Sequence, residues 1–216
     1  LNDRRAQRLL DLDAVPEDLK SASSDVTTSG TVIRATGKSI WLSLLAHQVS
    51  EELTQYFGLS LFRGTNEIIF LGKAGGVTPQ AVVWKIEGKF PNTTGASTNL
   101  ATSPTLLVAR IDWNHDGTFR EVYTTNLATQ VITTNLVPVN PDRAYLWVNP
   151  DPELTAPTLE TASASGVGVR NEVQARGDFL YSFDRVGFRG GNGNSGVVDE
   201  FRLGTTYQSV VPTIFS

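Results

Sequence analysis

The chain has 216 residues and a formal net charge of −4, from 18 Lys and Arg against 22 Asp and Glu. A single all-β domain of about 200–250 residues is ordinary, and scattered arginines offer no clustered basic face for a polyanion, which excludes nucleic acid as a partner. With no cysteine, disulfides, zinc thiolates and thiol nucleophiles are excluded, and no apolar run approaches the roughly 18 residues of a membrane-spanning helix.

In chain order, residues 1–30 read as an N-terminal segment and loop. Asp3-Arg4-Arg5-Ala6-Gln7-Arg8-Leu9-Leu10 fits either a short helix with Asp3 as N-cap or a strand. Residues 21–30 (SASSDVTTSG) read as a polar loop. From 31 to 216 the pattern is one β-sandwich. Short runs rich in β-branched and aromatic residues lie at 31–35 (TVIRA), 39–46 (SIWLSLLA), 57–62, 67–72 (EIIFLG) and 81–86 (AVVWKI). They continue at 105–112 (TLLVARID), 119–124, 143–149 (RAYLWVN), 179–188 and 197–204. The runs at 39–46 and 105–112 are apolar on both faces, as central strands are. Leu42, Leu44, Leu59, Ile69, Leu107, Val108, Leu146 and Phe201 are expected in the core, as are Trp41, Trp84 and Trp147. The segments 92–103 and 154–168 read as surface loops, and the glycine-rich run 190–196 as a hairpin or long turn. About ten short strands without a long helix make the expected fold an antiparallel two-sheet β-sandwich.

Three stretches carry a family resemblance. They are SIWLSLLA with FGLSLFRGTNEIIFLGK, then LLVARIDW followed after an insertion by YLWVNPDPE, and last FDRVGFRG with GVVDEFRLGTTYQSVVP. Their order is similar to that of bacterial LamG-like domains of exported proteins, with DEFRLGTTY the most specific block. The resemblance implies a concanavalin A-like jelly roll, lacking an N-terminal strand because the chain begins late, and an extracellular or cell-surface location. The absence of methionine agrees with a processed Leu1. The fold hosts lectins, glycosidases and adhesion modules alike, so the resemblance fixes no activity.

Chemistry-bearing motifs are few. Glycosidases need two carboxylates converging on one cleft, whereas Glu67 has no second carboxylate in its run, and Asp199 and Glu200 are adjacent and so point to opposite faces of a strand. His47 and His115 are the only histidines, and there is no G-x-S-x-G elbow. The expectation is a chain that is not an enzyme. The most informative motif is Asp112-Trp113-Asn114-His115-Asp116-Gly117-Thr118. Oxygen ligands at Asp112, Asn114, Asp116 and Thr118 match the first half of a calcium loop, although Tyr123 stands where the closing Glu would be. A β-turn built by Asn114, Asp116 and Gly117 with His115 exposed fits equally. Trp113, at the loop mouth, is the tryptophan nominated to stack on a sugar. The functional expectation is an extracellular structural or binding module, either a self-assembling subunit of an envelope layer or fibre, or a lectin-like domain for a glycan or surface polymer. In the assembly reading, residues 1–12, or a neighbour's equivalent, complete an open sheet and join protomers head to tail.

Overall fold

The structure, a computed structural model, describes residues 4–23, 30–48, 55–73, 75, 84–89, 92–96, 104–153, 156–159, 171–174, 181–191 and 196–211. Two antiparallel sheets make the body. The first has six strands: β1 (Arg4–Leu9), β5 (Phe57–Arg63), β6 (Asn66–Lys73), β7 (Trp84–Lys89), β8 (Asn92–Ala96) and β14 (Arg185–Gly190). Their spatial order is β1-β14-β5-β6-β7-β8. The second contains β4 (Ser39–Gln48), β9 (Thr105–Asp112), β12 (Arg143–Val148), β13 (Asn171–Gln174) and β15 (Gly196–Gly204), ordered β13-β12-β9-β4-β15. Two further pairs stand apart, β2 (Lys20–Ser23) with β3 (Gly30–Ile33), and β10 (Phe119–Asn126) with β11 (Val131–Pro138). The all-β sandwich expected from the sequence is therefore the observed fold.

Period-two alternation explains the packing. Ile40, Leu42, Leu44 and Ala46 of β4 and Leu107, Ala109 and Ile111 of β9 face inward and share one buried cluster with Leu59 and Leu61 of β5 and Ile69 and Leu71 of β6. The outer side of the same sheet is also apolar: Trp41, Val108, Tyr145 and Trp147 form a second buried cluster under the short helix α1 (Tyr207–Val210). Sequence periodicity marked β4 and β9 as two-sided for this reason, and both are interior strands. Of the expected core residues, all but Phe201 are buried; Phe201 is half-buried against the core.

Several elements differ from expectation. The segment read as helix or strand is strand β1, which pairs with β14 from Arg4↔Gly190 to Leu9↔Arg185. The N-terminal segment thus lies on the edge of its own sheet within one chain. The polar stretches 21–30 and 92–103 contribute β2, the start of β3, and β8. The glycine-rich connection after β14 is no hairpin, because β14 pairs with β1 and β5 while β15 pairs with β4 in the other sheet. Of the expected run 81–86, residues 81–83 lie outside the described residues, as do 179–180 of the run 179–188 and most of 154–168. The insertion after LLVARIDW folds as the β10–β11 hairpin, whose eight residue pairs join neither sheet.

One close approach depends on glycine. Gly58 and Gly72 sit opposite each other on β5 and β6, and a Cβ on Gly72 would lie 2.3 Å from the Phe57 carbonyl oxygen and 2.6 Å from Gly58 Cα.

Candidate functional site

The loop 112–118 leaves β9 at the end of the sandwich and is pinned from three sides. Its first residue still belongs to the β9 strand, and Trp113 extends the β4–β9 pairing: its N–H donates to Lys38 O at 3.0 Å, and Gly37 N–H donates to Trp113 O at 2.7 Å. The indole is fully buried and donates from Nε1 to Tyr181 O at 2.6 Å. This corrects the sugar-stacking expectation for Trp113, since a ring without exposed surface offers no platform. His115 is corrected as well. It is buried, edge-on to Phe119 with ring centroids 4.9 Å apart, and not exposed on a turn.

The expected calcium ligands point to separate tasks. The Asp112 carboxylate accepts from Ser39 Oγ at 2.6 Å and is ion-paired with Arg110 on the same strand. Asp116 is exposed and accepts from the Thr118 N–H at 2.9 Å and the Thr118 hydroxyl at 2.6 Å. Those two bonds hold its carboxyl below the ordinary carboxylate value. Asn114 is exposed, and Gly117 takes φ +93°, closing the turn in the left-handed region. Among the described residues no group of three His, Asp or Glu side chains is gathered in a metal-holding arrangement. The donor set could hold calcium only by taking Asp112 away from Arg110, and the turn at Asp116–Thr118 already engages the Asp116 carboxylate.

Sequence reasoning missed the residue that organises this loop. Asp142, in the turn before β12, is completely buried and accepts from His115 N–H at 2.9 Å, Tyr181 N–H at 3.1 Å and Arg34 Nη2 at 3.4 Å. Arg34 also donates to His115 O at 2.8 Å. One carboxylate therefore joins three chain segments far apart in sequence. A Pro-Asp pair between polar residues reads as a turn, and no local signal separates this Asp from an exposed one.

On the outer face of the five-stranded sheet, α1 packs over a buried aromatic cluster. Trp41 stacks on Trp147 at 5.4 Å, and Tyr207 of α1 meets Trp41 edge-on at 5.5 Å. The helix is held by Ser43 Oγ donating to Val210 O, by Arg202 donating to Val211 O at 3.1 Å, and by the Tyr207 hydroxyl donating to Asp151 O at 2.6 Å. Burial, then the charge of Asp151, pushes the Tyr207 hydroxyl up to about 12. Glu67 is not free: Ser60 Oγ donates to it at 2.5 Å, and Arg189 pairs with it while lying over the Tyr56 ring. Asp199 precedes a β-bulge in β15 and Glu200 lies within it at φ +50°, its carboxylate 3.1 Å from the Arg202 guanidinium.

No family model and no curated protein matches the chain. Among solved structures, a bifunctional GH43-CE protein of Bacteroides eggerthii is similar over 86% of this chain and 21% of that one, at 11% identity and a TM-score of 0.41. This chain spans about a fifth of the length of that protein, and likeness at this level carries no argument about activity.

Proposed function

We propose that the chain is a non-enzymatic structural module of an extracellular assembly, a building unit of an envelope layer or fibre. The observation that carries this reading is the pairing of the buried and half-buried carboxylates among the described residues. Asp112 is paired with Arg110, Asp142 with Arg34, Asp184 with Arg185 and Glu67 with Arg189. A general acid or nucleophile must face a substrate, and each of these carboxylates faces an arginine of its own chain instead. The order of the LamG-like blocks along the chain supports an exported module of that broad kind. The exposed aromatic rings among the described residues are Phe119, Tyr123 and Phe188, two of them on the β10–β11 hairpin and none in a cleft, which favours a protein partner over a sugar.

The test is incubation of the purified chain with a panel of polysaccharides and chromogenic glycosides, alongside negative-stain imaging of the protein recovered from its native source. No turnover, with ordered assemblies in the images, is the expected result. Glycoside cleavage that disappears in Glu67→Gln would overturn the reading.

A further inference from the structure

Among the described residues, the β10–β11 hairpin exposes the most large hydrophobic side chains. Of the ten large hydrophobic side chains exposed among the described residues, seven lie between 119 and 139. Tyr123 is 65% exposed, Leu127 84%, Ile132 64% and Leu136 60%. Cross-strand pairing places Phe119, Tyr123, Ile132 and Leu136 on one face of the hairpin, so these exposures form a continuous stripe. With roughly 150–250 Å² per aromatic side chain and somewhat less per aliphatic one, the four on this face leave on the order of 400 Å² of side-chain surface in water, within the range of about 300–600 Å² for the largest apolar patch on an ordinary monomer. An isolated two-stranded hairpin is also marginal in water, so this one gains most from a partner.

Its edges point to what the partner is. Open sheet edges are ordinarily blunted by charge, proline or a bulge. The edge of β1 carries Arg4, Arg5 and Arg8, and the edge of β15 carries Asp199, Glu200 and Arg202 with a bulge between Asp199 and Arg202. The edges of β8 and β13 run beside each other. Strand β11 has none of these devices along Val131–Val137: it reads Val-Ile-Thr-Thr-Asn-Leu-Val, uncharged and β-branched, with a proline only at its end, Pro138. Antiparallel pairing of such a strand with its own copy is self-complementary, and a two-fold axis satisfies both edges at once.

We propose that the β10–β11 hairpin is a self-association arm, and that two copies of the chain join through the edge of β11 that pairs with no strand among the described residues, forming a four-stranded sheet, β10-β11-β11-β10, across a two-fold axis. This rests on the structural-module reading and names one of its contact surfaces: a two-fold contact closes into a dimer, the repeating pair from which a layer or fibre is built through a second surface. It adds main-chain hydrogen bonds along β11 and merges the two apolar stripes into one face.

The absence of cysteine makes the test clean. Thr134→Cys, at the middle of β11, is treated with a short bifunctional thiol linker, and Asn114→Cys on the exposed loop serves as control. Light scattering is run on the same chain and on Ile132→Lys/Leu136→Lys. The expected results are a mass twice that of the monomer, a covalent dimer from Thr134→Cys alone, and at least a tenfold weaker dimer in the double variant with unchanged melting of the body. A chain that stays monomeric at high concentration overturns the proposal, as does a dimer indifferent to both lysines. Hairpin-dependent sedimentation with anionic lipid vesicles, without dimerisation, overturns it too and assigns the stripe to a membrane surface. Native assemblies that persist with the lysine pair sink the hairpin's role but spare the module reading; glycosidase activity in a dimer that needs the hairpin does the reverse.

Discussion

Replacing Asp142 with alanine removes the acceptor of three donors at once. The carboxylate has no exposed surface, and its partners are two backbone N–H groups, of His115 and Tyr181, and the Arg34 guanidinium. An orphaned buried donor costs about 1–3 kcal/mol, and breaking a buried ion pair by deleting one member costs about 3–5 kcal/mol. These overlap, because Arg34 keeps its bonds to His115 O and Thr36 Oγ1, so the expected loss is about 4 kcal/mol. In a chain of this size, with about 2–4 °C per kcal/mol, melting falls by roughly 8–16 °C. Urea unfolding followed by tryptophan fluorescence reads it directly, because Trp113 lies in the loop that Asp142 holds and donates to Tyr181 O. The midpoint should drop with an unchanged m-value. Asp142→Asn keeps one acceptor but turns an N–H toward a donor, and should fall between wild type and alanine. A loss below about 1 kcal/mol for Asp142→Ala would refute the claim that this carboxylate organises the loop.

Gly72→Ala forces a methyl to within 2.3 Å of a backbone carbonyl on the neighbouring strand, so it should cost about 3 kcal/mol. Gly117→Ala, where the space is open but φ is +93°, should cost only about 1 kcal/mol by chemical denaturation; equal costs would mean that the β5–β6 approach relaxes freely. Melting in calcium and in chelator should coincide, because Asp112 is held by Arg110 and Asp116 by Thr118. A calcium-dependent rise approaching 2.7 kcal/mol at about a hundredfold excess over Kd would show that the loop rearranges around the ion. Tyr207, raised by burial to about 12 from a reference value of 10.0, contributes stability that is complete below pH 10 and is lost as pH rises from 10 towards 12, since the unfolded chain gives up this proton first. Ultraviolet titration of phenolate should show a last step that vanishes in Tyr207→Phe; if every tyrosine of a folded sample ionises near 10, the sealed outer face is wrong.

The long apolar runs were legible because periodicity carries burial: β4, β5, β6, β9 and β12 lie where alternation places them, with both faces of β4 and β9 covered. The polar strands were not. β1, β8 and β13 consist largely of Arg, Asn, Thr, Glu and Gln, and become strands only because a neighbour supplies the other half of the ladder. The glycine-rich link from β14 to β15 looks the same whether it turns back within one sheet or crosses to the other, and only the partners of the two strands decide. At the candidate site, local composition marked the Asp116 turn correctly but misplaced Trp113 and His115. Their burial comes from residues 27 to 79 positions away: Asp142, Tyr181, Thr36 and Lys38. Spacing within a motif cannot report a wall that arrives from elsewhere in the chain.

Without cysteine, the loops that close this sandwich must be fastened by other means, and the fastening is ionic. Arg34 with Asp142 binds the 113–118 loop to the β12 turn, and Arg185 grips Asp184 through two bonds of 3.0 and 3.1 Å while that carboxylate also accepts the Gly64 N–H at 3.0 Å. Such pairs add little net stability over an apolar substitute, because desolvation offsets much of the attraction. They do fix geometry, since a guanidinium fork and a carboxylate satisfy each other in few orientations. That is the property a repeating building unit needs: its contact surfaces must hold one shape in every copy. The same pairs turn the buried carboxylates among the described residues toward arginines, and the structural-module proposal rests on that arrangement.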